Sequence, residues 1–220
     1  MKDTDQDKVG RRSLLTTMSV AAVAGLAASA GSAQTQPHPT GFQPARHDKD
    51  AWLNELPGSH RVFIDSSTMA GGPAGLWYAN NMISAHEDEY EGNAADFAMV
   101  VCFRHMSTPY GFNDAVWAKY GAIFSRNADP APTRNPLSIA SASSGQNSIS
   151  SSVARGVHFA ICGRATRRFA MAIASATGGD ADTVFAELTA GGVPNSHFVP
   201  AGVLTATRAQ EYHYSFLYAE

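Results

Sequence analysis

Short apolar runs of strand length alternate with longer segments of helical spacing from His60 to the end of the chain. His60-Arg-Val-Phe-Ile-Asp65 sets Val62 and Ile64 on one face of a strand. Phe97-Ala-Met-Val-Val-Cys-Phe103 and Val157-His-Phe-Ala-Ile-Cys162 are almost continuously apolar, the pattern of strands covered on both faces. Two shorter runs, His197-Phe-Val199 and Tyr214-Ser-Phe-Leu-Tyr218, complete the set. Between them, Leu76, Ala79, Ile83 and Tyr90 recur at helical spacing behind Pro73, and Asn113-Asp114 opens a helix through Val116, Trp117 and Tyr120. Ala165, Phe169, Ala172, Ile173 and Ala176 mark one face of a helix that Gly178-Gly179 stops, and Asp180 caps another through Val184, Phe185 and Leu188. A last helix runs from Gly202 to about Glu211. Strands alternating with helices predict a three-layer α/β domain with about five mostly parallel strands and helices on both faces of the sheet.

The rest of the chain is of a different kind. Lys2, Lys8, Arg11 and Arg12 precede a weakly apolar stretch through Leu14, Leu15, Val20, Val23 and Leu26, and Gly31-Ser32-Ala33 offers a cleavage site. The Arg11-Arg12 pair predicts a twin-arginine export signal over residues 1–33 and a periplasmic or secreted location for the folded mature protein. Ser and Thr dilute the apolar stretch below what a retained membrane span requires. Residues 34–58 are rich in Pro, Gln and charge, the composition of a tether or wrapping arm, with a helical turn expected between Asp50 and Leu56. The domain then occupies residues 59–220, interrupted by a Ser-, Pro- and Asn-rich loop at about 126–152.

The net charge is −3, and the removed segment carries one more base than acid, so the mature chain is slightly more acidic still. That balance speaks against nucleic acid or an anionic membrane as the main partner. Cys102 and Cys162 would enter an oxidising compartment, yet both lie inside apolar runs rather than in loops. Two free thiols are expected rather than a disulfide.

In an open parallel sheet ligands bind beyond the carboxyl ends of the strands. Four segments leave those ends: Asp65-Ser66-Ser67, Arg104-His105, Cys162-Gly163-Arg164 and Pro200-Ala201-Gly202. Their convergence makes Ser66, Ser67, Arg104, Gly163, Arg164 and Gly202 candidate ligand- or anion-binding positions. Cys162 sits where a strand passes into a helix, and the helix start with Arg164 favours a thiolate there. The alternative is a small buried residue packing the strand end. His105 would lie on the same edge, where an imidazole could exchange protons with a thiol. Arg167 and Arg168 share a helix face with Arg164 and read as a solvated face. The histidines show no metal-ligand spacing, so no metal or cofactor is indicated. Gly71-Gly-Pro-Ala-Gly75 lacks the spacing of a phosphate loop and reads as a turn.

The segment Gly156-Val-His-Phe-Ala-Ile-Cys-Gly163, followed by Phe198-Val-Pro-Ala-Gly202, a helix carrying Arg208-Ala-Gln210 and a closing aromatic strand, resembles the DsrE/DsrF-like sulfur-metabolism family. The similarity runs from about His60 to Tyr218 and is strongest after Gly156. It implies a flavodoxin-like sheet of about five parallel strands, frequent homo-oligomers, and a cysteine at the end of the third strand that carries sulfur as a persulfide. Cys162 matches that position. The export signal and the extra Ser-rich loop depart from the family's cytoplasmic sulfur-handling members. The expected role is therefore small-ligand binding or persulfide handling at Cys162, with a small molecule or sulfur oxyanion as ligand. A non-catalytic binding or oligomer-forming module with a structural Cys162 is the alternative. A second cysteine able to reach the site would favour the first reading, and Cys102, taken as mid-strand, looks badly placed for it.

Overall fold

Among the described residues five strands form one sheet, all parallel, in the order β4-β3-β2-β1-β5. They are β1 (His60–Ser66), β2 (Phe97–Phe103), β3 (His158–Cys162), β4 (Ser196–Val199) and β5 (Ser215–Ala219). The structure is a computed structural model that describes residues 41, 43–126, 128–139 and 147–220. The expected export signal, its cleavage site and part of the Ser-rich loop lie outside the described residues. The helices are α1 (Trp52–Glu55), α2 (Gly71–Glu89), α3 (Asp114–Phe124), α4 (Ile149–Ala154), α5 (Gly163–Thr177), α6 (Ala181–Ala190) and α7 (Gly202–Glu211). None is long and apolar enough to cross a membrane among the described residues.

The topology dictates which helix covers which face. From β1 to β4 the chain steps one way across the sheet, then returns to set β5 beside β1. Crossovers between parallel strands are right-handed, so the first three connections belong on one face and the last on the other. The packing agrees. Ile64, Val101, Phe103, Phe159 and Ile161 pack with Leu76, Trp117, Phe124, Ile173 and Leu188 from α2, α3, α5 and α6. The alternate residues Phe63, Val100, Cys102 and Ala160 pack with Ala206 and Ala209 of α7 and with Leu53 and Leu56 around α1. Both faces are covered, which is why the central strands are apolar without alternation. The three-layer α/β expectation holds, with every strand pair parallel.

Local departures from the sequence expectations have physical causes. The glycine run read as a turn before Pro73 is already helix, because α2 starts at Gly71. A Cβ on Gly71 would lie 2.5 Å from the Ala219 carbonyl oxygen, and one on Gly72 would lie 2.3 Å from the Tyr110 ring. Bare backbone is what lets α2 close onto β5, and Pro73 falls in the first turn, where its missing N–H is harmless. The loop expected from Arg104 to Gly111 is a 3-10 turn over His105–Gly111. Part of the Ser-rich connection is tied to the domain. The Asn135 side chain donates to the Tyr110 and Phe112 carbonyls (2.8 and 2.7 Å), and Leu137 is buried. The arm is not a tether where it is described. Leu53 is fully buried, and its carbonyl accepts from the Tyr214 hydroxyl (2.6 Å) and from Arg61 Nη1 (2.8 Å).

Candidate functional site

The carboxyl ends of β1 and β2 are joined by an ion pair. Asp65 is 3 % exposed, and Arg104, the residue after β2, donates from Nε to both carboxylate oxygens (2.8 and 3.0 Å) and from Nη2 to one of them (2.7 Å). A carboxylate ending an otherwise apolar strand needs such a partner, since burying it alone would be prohibitive. Ser66 points to the other face, fully buried, and its hydroxyl donates to the Cys102 carbonyl at 2.8 Å. It seals the β1–β2 junction and presents nothing to solvent. The Ser67 hydroxyl is 2.6 Å from that of Tyr218, linking the end of β1 to β5.

Strand alternation puts both thiols on the α7 side of the sheet. Cys102 pairs across with Asp65 on one side and Ala160 on the other, and Cys162 lies two residues beyond Ala160. The reading of Cys102 as mid-strand and badly placed is corrected: it is the last residue but one of β2 and a diagonal neighbour of Cys162. Both are free thiols, Cys102 fully buried and Cys162 7 % exposed. Burial pushes the Cys102 thiol well above its ordinary value, and the charges of Asp65 and of an ionised Cys162 push it further. Cys162 is the N-cap of α5, at the end of the helix where partial positive charge collects. Gly202, the first residue of α7, closes over this cluster, with its Cβ position 2.7 Å from Arg104 Cβ and 3.0 Å from Cys102 Sγ.

One residue beyond Cys162, at Gly163, begins a groove of about 980 Å³ that runs over the edge of β4. Gly163 and Arg164 line it, as does Val199, the residue paired with Cys162 across the sheet. Cys162 itself is set back one residue from the groove wall. Arg164 and Arg168 are exposed and have no ion pair among the described residues, whereas Arg167 is held by Asp182 and lies over the Phe185 ring at 3.8 Å. His105 goes elsewhere. It is exposed, with a left-handed φ of 54°, and lines a small hollow with Met106, Ala165 and Phe169 on the opposite face from Cys162. It makes no hydrogen bond to either thiol, because the chain enters the 3-10 turn on the α5 side while Cys162 faces α7.

Three groove residues were not foreseen. Lys49 and Trp52 come from the arm, whose folding back no periodicity encodes. His197 reaches the groove from β4, stacked on Trp52 with ring centroids 3.9 Å apart and its Nε2 3.1 Å from His158 Nδ1. Burial, with the His158 charge behind it, lowers His197 to about 4. No cluster of three or more metal-ligating side chains occurs among the described residues. Comparisons with protein families, curated proteins and solved structures find no match to this chain.

Proposed function

We propose that this chain is an exported, DsrE-like sulfur-handling protein in which Cys162 accepts sulfur as a persulfide. The observation that supports this reading is the placement of Cys162. It caps α5 at the carboxyl edge of the sheet, beside the basic groove, with a second thiol on the same face. Thiosulfate is the simplest donor of the right chemistry. The Cys162 thiolate attacks the sulfane sulfur, the S–S bond of thiosulfate breaks, its electron pair leaves with sulfite, and Cys162 is left as a persulfide anion. On this reading Arg164, exposed in the first turn of α5, neutralises the approaching dianion. Cys102, held neutral by burial and by Asp65, does not compete as a nucleophile.

Intact mass after incubation with thiosulfate tests the proposal. One added sulfur atom in the wild type, absent in Cys162→Ser and retained in Cys102→Ser, is the expected result. An unchanged mass in all three leaves the second reading, a binding or assembly module in which Cys162 packs. One observation favours that reading. The edge strand β5 exposes Phe216, Leu217 and Tyr218, a surface that a second copy of the chain would cover.

A further inference from the structure

The groove beside Cys162 is too large and too mixed in character for a bare oxyanion. At about 980 Å³ it lies at the upper end of the range in which drug-sized molecules bury themselves. It would hold about thirty waters at about 30 Å³ each, so thiosulfate or sulfate would leave nearly all of it to solvent. Its lining combines positive charge with aromatic rings. Arg164 and Arg168, one helical turn apart on α5, and Lys49 from the arm supply positive charge. None of the three has a carboxylate partner among the described residues, and no aspartate or glutamate lines the groove. Such a concentration of unpaired cations stands out on a chain whose net charge is −3.

Aromatic groups line the groove on both sides of the β4 edge. Trp52 lies flat against His197 on the α7 side, and Phe198, the next residue, turns to the other side, where it stacks on Phe112. His197 is held neutral near pH 7, because burial lowers it to about 4, so it adds no charge to that of the arginines and Lys49. The groove runs along the outer edge of β4, a strand with a neighbour on one side only among the described residues, whose outward backbone groups can accept or donate hydrogen bonds. Cations and aromatic rings in one groove define a ligand with two ends.

We propose that this groove binds an organic anion carrying a flat apolar group, of the arenesulfonate or aromatic carboxylate kind. The anionic end lies between Arg164 and Arg168 at the start of α5, and the ring lies against Trp52 across the edge of β4. The site shares Arg164 with the sulfur-handling reading but does not depend on any sulfur transfer.

Calorimetric titration with three probes tests the assignment: 2-naphthalenesulfonate, sodium sulfate and neutral 2-naphthalenemethanol, all at low ionic strength because exposed charges are screened by salt. The naphthalenesulfonate should bind at one site at least ten-fold more tightly than either of the others. The double variant Arg164→Gln/Arg168→Gln should weaken it by about ten-fold, the sum of two modest charge contacts. Both side chains are exposed and unpaired among the described residues, so the variant keeps the fold, which circular dichroism verifies. Sulfate binding as tightly as the naphthalenesulfonate, or an unchanged affinity in the double variant, overturns the proposal. The outcome separates from that of the sulfur test. A chain that binds the probe but gains no sulfur from thiosulfate keeps this site and loses the persulfide reading. One that gains sulfur and binds no probe loses this site alone.

Discussion

Replacing Gly202 with alanine probes the seat of α7 on the thiol cluster. The added Cβ would stand 2.7 Å from Arg104 Cβ, 3.0 Å from Cys102 Sγ and 3.1 Å from Arg104 Cδ. Neither neighbour can give way cheaply. Arg104 is fixed by its three hydrogen bonds to Asp65, and Cys102 is fully buried in a central strand. Overpacking of this kind costs about 1–3 kcal/mol. Alanine's better helix propensity returns at most about 1 kcal/mol, and less in a first turn. The net loss should be about 1–2 kcal/mol, which in a domain of this size lowers Tm by about 2–8 °C.

Equilibrium urea unfolding is the assay, with an unchanged m-value as the sign that only stability moved. Cys102→Ala in the same background removes one of the two crowded partners, so the double variant should lose less than the two single changes added together, by about 0.5 kcal/mol or more. A Gly202→Ala protein as stable as the wild type, with no coupling to Cys102, would refute the close approach of α7 to Arg104 and Cys102 and with it the geometry of the cluster.

Stability should also depend on pH through the histidine pair. His197 falls from its ordinary 6.5 to about 4 in the folded chain, and His158 is lowered as well, both mainly by burial. The unfolded chain therefore takes up these protons first, and the contribution is complete above about pH 6.5 and lost as pH falls toward 4. The urea midpoint of the wild type should drop more steeply across that window than that of His197→Asn, and parallel curves would count against the buried pair. Replacing Arg11 and Arg12 with lysine should retain the unprocessed chain inside the cell, as immunoblots of cell fractions would reveal; unimpeded export would remove the twin-arginine proposal.

The fold was legible because parallel strands buried on both faces leave a plain signal. Phe97–Phe103 and residues 159–162 are apolar throughout, and the helices that follow them include α3 and α6, whose Asn113 and Asp180 are used as caps. Which groups meet at the carboxyl edge was legible only in part. Topology alone brings the ends of β1, β2 and β3 together, but side-chain direction depends on strand phase. That phase separates Ser66 from Asp65 and His105 from Cys162. Asp65 did carry a signal, a lone carboxylate closing an apolar strand, whose counterion had to be sought among cations at neighbouring strand ends. Trp52 and Lys49 carried none, since their place in the groove depends on the arm packing onto α7's side of the sheet.

The same strand phase accounts for the chemical asymmetry of the two faces. Asp65, Cys102, Arg104 and Cys162 all fall on the α7 side because each is an even number of residues from its neighbour in the register. A slip of one residue in any strand would turn that strand's members toward the large apolar core around Trp117 and Phe159. Stability gives little reason to keep a charged pair in such a place, because a buried ion pair of this sort is commonly no better than well-packed hydrocarbon. Its effect on the neighbouring groups is more specific. Asp65 raises the Cys102 thiol and ties Arg104 down at the point where Gly202 allows α7 to approach. On the persulfide reading, that arrangement leaves one thiol silent and the other, Cys162, at the head of a helix that also carries Arg164 and Arg168, unpaired among the described residues. The sheet edge then has a division of labour that packing alone would not require.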